Sequence, residues 1–274
     1  MFPEIEIFHM TIQSYGVMTM LGAAAAIVYC MYSVSKRSLD KNVMIDVLIY
    51  VIIGALIGGK LLYLLIDLPW LIDHGMQMLQ DPLSLFRYLS SGFVFYGGLI
   101  GVFIAVFFYF YKHPSLVLEE YLEACMPAFP LFHCFGRIGC FLAGCCYGEV
   151  STSIFAMPLY TQVNPDVLVS RYPIQLFEAG FNLVLFVCLA VFAFHRRNAF
   201  LQLGFYLCAY GTFRFMIEWL RGDAIRGVWL LSTSQWISLF LVPLGIWMEK
   251  DSRRFLHWMQ LLRDRQKDRE SIKK

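Results

Sequence analysis

Charge is scarce in this sequence. Of 274 residues only 15% are Asp, Glu, Lys or Arg, against 59% hydrophobic. That leaves too little polar surface to cover a soluble domain and puts the chain in the membrane class. A basic stripe with interleaved aromatics is also missing, and the net charge is only +2, so nucleic acid is not expected as a partner. Eight cysteines in so long a chain, most of them inside apolar segments, are too sparse for the disulfide framework of a small secreted domain. No basic n-region or cleavage site precedes the first apolar stretch, which therefore reads as a span and not as a signal peptide. No internal repeat, low-complexity tract or linker divides the chain. A membrane domain over residues 1–248 and a basic tail over 249–274 are expected.

What is present is a series of apolar runs. Crossing about 30 Å of hydrocarbon takes roughly 20 helical residues, and seven such runs fall at 11–34, 43–66, 91–111, 117–143, 174–194, 200–220 and 229–248. The expected fold is an all-α polytopic membrane protein with seven transmembrane helices. Lys36, Arg37, Lys41, Lys112, Arg196 and Arg197 fall in connections of one parity, together with the basic tail; the opposite set holds Arg87, Arg171, Arg221 and Arg226. The excess of Lys and Arg marks the cytoplasmic side, giving an outside amino terminus and a cytoplasmic carboxyl terminus. PWLIDHGMQML, in the connection 67–90, reads as a short amphipathic helix or half-buried turn at the interface. In the tail, Phe255, Trp258, Met259, Leu261 and Leu262 suit the inner interface while the basic side chains meet anionic lipid heads.

Three basic residues fall inside spans: Lys60, Arg137 and Arg214. A charge at the centre of an isolated helix costs at least about 2.5 kcal/mol, so each is expected to face the bundle interior or a wet cavity. Arg214 and Glu218, four apart, share a helix face and can pair. Arg137 and Lys60 lack such a partner in their own helix and are candidates for holding an anion, the phosphate of a phospholipid. A guanidinium grips phosphate through two parallel hydrogen bonds, which lysine cannot do. Gly54, Gly58 and Gly59, and Gly92, Gly97, Gly98 and Gly101, permit close helix packing. Gly136, Gly139, Gly144 and Gly148 surround Arg137, where opened backbone can line a cavity.

Cys140 lies three residues beyond Arg137, and both packing and site lining are open to it. A disulfide from Cys140 to Cys145 or Cys146 is a further reading. A metal centre is not expected, because one helix does not readily aim these thiols and His133 at one ion. His133 reads first as a core histidine and second as a proton acceptor. Tyr96 offers a hydroxyl donor for an ester or phosphate.

These features resemble the prolipoprotein diacylglyceryl transferase family. The likeness rests on QSYGVM around Tyr15; IGGKLLY, 57–63, with Lys60 at the family's arginine; SGFVFYGGLIG, 91–101, with Tyr96 at its histidine; and GRIGCFLAGCCYG, 136–148. In that last signature Cys140 stands for asparagine and Cys145 for glutamate. RYPIQLFE, 171–178, RFMIEWLRGD, 214–223, and STSQWISL, 232–239, complete the series. The resemblance implies transfer of a diacylglyceryl group from phosphatidylglycerol to the lipobox cysteine of a preprolipoprotein in the bacterial inner membrane, by a monomer without cofactor or metal. It implies catalytic roles for Arg137, Arg214, Glu218, Tyr96 and Cys140. Substrate binding is implied for Tyr15, Lys60, Gly98, Gly139, Gly148, Gln175, Glu178 and Arg221. The same architecture serving another acceptor, or a phospholipid carrier without chemistry, are the alternatives.

Overall fold

The computed structural model describes residues 4–7, 10–90, 92–162, 166–195, 198–222, 227–228 and 230–251. Its helices are α1 (Ser14–Lys36), α2 (Lys41–Ile66), α3 (Leu68–Gln80), α4 (Pro82–Ser90), α5 (Phe95–Lys112), α6 (Leu118–Cys125), α7 (Ala128–Ala143), α8 (Ile174–His195) and α9 (Ala199–Ile217), which runs into a 3₁₀ turn, Glu218–Leu220. A last helix, α10, covers 233–251. Three antiparallel two-stranded hairpins join them: β1 (Glu4–Ile7) with β2 (Met10–Gln13), β3 (Met157–Leu159) with β4 (Val169–Arg171), and β5 (Gly227–Val228) with β6 (Leu231–Ser232). The fold is mostly helical, and these hairpins correct the all-α expectation at its edges.

Among the described residues, five helical stretches are long and apolar enough to cross a membrane: Ser14–Lys36, Lys41–Ile66, Phe95–Lys112, Leu118–Ala143 and Ile174–His195. The expected span 117–143 is broken at Met126–Pro127, where proline supplies no amide donor and a new helix begins. The span expected from 91 starts as helix only at Phe95, after Gly92 at φ +69°. The connection 67–90 is more ordered than a turn, forming α3 and α4. Arg196, Arg197, Arg226 and the tail beyond 251 lie outside the described residues.

Burial is inverted relative to a soluble protein. Phe103 and Phe194 are 74% exposed, whereas Gln175, Glu178, Asn182 and Gln202 are 0% exposed. Hydrocarbon solvates aromatic and aliphatic side chains, and polar groups turn inward to find partners.

The chain forms two compact units, residues 40–118 and the remainder. In the first, α2 packs on α5 through glycine: a Cβ at Gly54 would meet the Gly101 carbonyl oxygen at 2.6 Å, and one at Gly58 would collide with Gly97. Absent side chains let the two backbones touch. Asp40 caps α2 by accepting from the Asn42 amide at 2.8 Å.

In the second unit, α1 packs on α7 where Gly22 admits Phe135 and Gly139 admits Tyr15 and Met18. Phe181 stacks on Phe213 at 3.9 Å between ring centres, beside a core of Leu185, Leu189 and Tyr206. Asn198 caps α9 by accepting from the amides of Phe200 and Leu201. Ser232 and Gln235 form a reciprocal cap at the start of α10: the Gln235 amide donates to Ser232 Oγ at 3.2 Å, and the Ser232 amide donates to Gln235 Oε1 at 3.0 Å. Arg37, assigned from sequence only to a connection, forms a buried ion pair with Glu123 at 2.9 Å and donates to the Ala193 carbonyl at 3.3 Å, tying α1, α6 and α8 together.

Candidate active site

Arg137 is carried on α7 and Glu178 on the first turns of α8. Arg137 Nε lies 2.7 Å from Glu178 Oε2, and Arg214 Nη1, from α9, lies 2.8 Å from Glu178 Oε1. One carboxylate thus holds two guanidinium groups from different helices. Arg214 also reaches Glu218 Oε2 at 2.6 Å, and Arg221 Nη1 stands 3.8 Å from the same oxygen. The pairing of Arg214 with Glu218 is the one their spacing implies. Arg137 has no carboxylate partner in its own helix, as its sequence implies; its partner comes from α8, 41 positions along the chain, which no helical spacing reveals.

Three guanidinium groups against two carboxylates leave a net formal charge of +1 in this cluster. Glu178 is fully buried and the Arg214 side chain only 8% exposed, whereas the Arg137 side chain keeps 16%. Low local dielectric strengthens each of these contacts and any contact to an arriving anion. Of the two bridged arginines, Arg137 is the more accessible.

The connection after α7 is tied to this cluster through Arg221. Gly144, at φ +73°, ends the helix in the left-handed conformation, with the Cys145 amide returning to the Cys140 carbonyl at 3.2 Å. Residues beyond it run between two other segments. The Gly148 amide donates to the Tyr172 carbonyl at 3.0 Å, and the Glu149 amide donates to the Leu220 carbonyl at 2.9 Å. Gly148 bridges to Arg221, and a Cβ at Gly148 would stand 2.6 Å from the Tyr172 carbonyl oxygen. The signature stretch and the late arginine motif are therefore joined through backbone.

Gln175, one turn before Glu178, donates from Nε2 to the Cys145 carbonyl at 2.6 Å. It thereby holds the loop that follows α7. Tyr15 packs against Gly139 on the α1 side. His133 Nδ1 lies 3.4 Å from the Tyr206 hydroxyl, and its ring faces Tyr210 at 5.0 Å, which is the core-histidine arrangement. Cys140 does not stand alone beside Arg137: its Sγ, with those of Cys145 and Cys146, forms a group within 4.8 Å of one another. The expectation that these thiols cannot converge assumed continued helix, and the left-handed Gly144 and Cys146 remove that assumption. All eight cysteines are free, so the disulfide reading finds no bond.

Lys60, Tyr96 and Gly98 belong to the 40–118 unit. Lys60 Nζ donates to the Tyr88 carbonyl at 2.8 Å and sits over the rings of Tyr63, Tyr88 and Phe93 at 4.9, 5.3 and 5.8 Å. An aromatic cage and a carbonyl thus solvate the ammonium. Tyr96 is 49% exposed on α5, and Gly98 packs against Ala55.

Two contributors were not singled out in the sequence. Ser234, at the start of α10, accepts from Arg214 Nη2 at 3.0 Å, and Tyr210 shares a hydrogen bond with Arg137. Ser234 lies inside the STSQWISL stretch, which was the available signal. Nothing in the sequence marks Tyr210 among 15 tyrosines.

The family model for prolipoprotein diacylglyceryl transferase matches residues 4–249. Among similar proteins, the phosphatidylglycerol–prolipoprotein diacylglyceryl transferase of Clostridium tetani is 35% identical over 243 residues, covering 89% of this chain and 94% of its own. The enzyme of that name numbered 2 in Clostridium perfringens is 34% identical, with 88% and 91% covered. That of Chlorobaculum tepidum is 36% identical, with 86% and 84% covered. With a buried arginine cluster assembled from the matching motifs, the chain belongs to the prolipoprotein diacylglyceryl transferase family.

Proposed function

We propose that this enzyme transfers the diacylglyceryl group of phosphatidylglycerol to the thiol of a lipobox cysteine in a preprolipoprotein. A C–S bond forms at the glycerol carbon bearing the phosphate ester, the bond from that carbon to the phosphate oxygen breaks, the thiol proton passes to water, and glycerol phosphate leaves. The observation that carries this reading is the bridge of Arg137 and Arg214 across Glu178. It presents preorganised cationic donors whose net charge suits a phosphate ester and the charge that develops on it as it departs. Arg137, the more accessible, meets the phosphate; Arg214, fixed by Glu178, Glu218 and Ser234, supports it. Arg221, Gly148, Gly139, Tyr15 and Gln175 shape the surrounding wall, and Cys140 lines it. Roles for Lys60, Tyr96 and Gly98 rest on their motif matches alone.

The reading includes seven spans, with α9 and α10 added to the five apolar stretches, the amino terminus outside, and a monomer in the inner membrane. The carboxyl-terminal tail serves as an interfacial anchor. The diacyl tails remain in hydrocarbon while the head group enters between helices.

The test is incubation of the purified protein with labelled phosphatidylglycerol and a lipobox peptide. Lipid-modified peptide with release of glycerol phosphate is the expected result. Label on another acceptor would replace the lipobox cysteine as substrate, and binding without turnover would overturn the enzymatic reading.

A further inference from the structure

The three thiols of Cys140, Cys145 and Cys146 have no part in the ion-pair network, yet their Sγ atoms lie within 4.8 Å of one another. A metal–thiolate bond of about 2.3 Å places sulfurs roughly 3.7–4.0 Å apart in tetrahedral or trigonal geometry, so side-chain rotations that draw the sulfurs together by up to about 1 Å close the site. The group is half-buried and not fully sealed, which leaves an entry path.

The scaffold under these thiols is fixed. Cys140 is on the last turn of α7. Cys145 is held by its amide to the Cys140 carbonyl at 3.2 Å and by its own carbonyl, which accepts from the fully buried Gln175 at 2.6 Å. The Gly144 carbonyl accepts from the Gln162 amide at 3.1 Å. Cys146 takes a left-handed backbone, φ +60°, a conformation uncommon outside glycine, asparagine and aspartate. Adjacent cysteines on regular backbone point apart, and here the turn brings both back to Cys140. Such a locked donor set is what a metal site requires, because ordering cost has been met in folding.

We infer that Cys140, Cys145 and Cys146 form a three-sulfur site for a soft monovalent metal ion of the copper(I) class. Thiolate donors select copper(I) and zinc over harder ions. Zinc in a structural site takes four protein ligands, and among the described residues no fourth His, Cys, Asp or Glu donor joins this group. Three thiolates alone satisfy a trigonal monovalent ion. Binding releases three protons and leaves a complex of charge −2, and Arg221 and Arg137 are within electrostatic reach of Cys146 to offset it. The inference does not rest on the transfer reaction.

The experiment uses the full chain in detergent, reduced and kept anaerobic, titrated with copper(I) held by a chromophoric chelator. One copper(I) per chain is expected, with sulfur as the only atom bonded to copper in X-ray absorption. Cys145→Ser and Cys146→Ser should each weaken binding at least about tenfold. In the unsubstituted protein, copper(I) should protect Cys140, Cys145 and Cys146 from maleimide, read by mass spectrometry, which keeps the test valid where a variant misfolds. Failure to compete with the chelator, nitrogen or oxygen neighbours in place of sulfur, or identical maleimide labelling with and without copper would overturn the site. Zinc bound at these thiols in preference to copper(I) would overturn the assignment of a monovalent ion.

Discussion

Replacing Glu178 by glutamine tests the bridge directly. The amide keeps the shape of the side chain but offers one acceptor oxygen where the carboxylate offers two, one to Arg137 at 2.7 Å and one to Arg214 at 2.8 Å. Its NH₂ then faces a guanidinium, donor against donor. The cluster charge rises from +1 to +2 inside a site whose central residue is fully buried. Removing one partner of a buried ion pair costs about 3–5 kcal/mol, a large part of the about 5–15 kcal/mol that holds a domain folded. By the soluble-protein scale, that corresponds to a fall in melting temperature of at least about 6 °C. Turnover should fall about a hundredfold, the loss that a misplacement near 1 Å produces at a reacting centre. The assays are thermal unfolding in detergent and transfer of labelled lipid to a lipobox peptide. Combining Glu178→Gln with Arg137→Gln returns the formal charge to +1, so part of the stability should recover while turnover does not. A Glu178→Gln protein that melts and turns over like the unsubstituted one would refute the bridge as the organiser of the site, and recovered turnover in the double variant would refute the role of Arg137.

Two other perturbations separate the site from its scaffold. Gly148→Ala places a methyl group 2.6 Å from both the Tyr172 carbonyl oxygen and Tyr172 Cβ; it should destabilise by about 1–3 kcal/mol and disturb the segment that bridges to Arg221, lowering melting temperature and turnover together. Glu123→Gln breaks the buried pair with Arg37 at 2.9 Å; it should cost about 3 kcal/mol in a melting experiment while the rate at a permissive temperature stays near that of the unsubstituted enzyme.

Much of the chain's organisation follows from local chemistry. Scarce charge and recurrent apolar runs require helices in a membrane, since only internal hydrogen bonding satisfies the backbone there. Arg214 and Glu218 pair because four residues make roughly one helical turn, and the glycines clustered in α2 and in α5 mark faces on which a backbone can be approached closely. Those statements need only short-range periodicity. The resemblance of the ordered motifs added the family and named most residues of the candidate site.

Tertiary structure decided what distance along the chain conceals. That Glu178 holds Arg137 and Arg214, that Ser234 completes the arginine's shell, and that Arg37 finds Glu123 all depend on which helix faces lie against one another. The cysteines show the same limit at short range: GCC reads as a helix end whose thiols diverge, until left-handed residues at Gly144 and Cys146 fold it back. A sequence states which groups are too costly to leave in lipid; only the packed chain settles which partners relieve that cost, because burial energy is set by neighbours and not by composition.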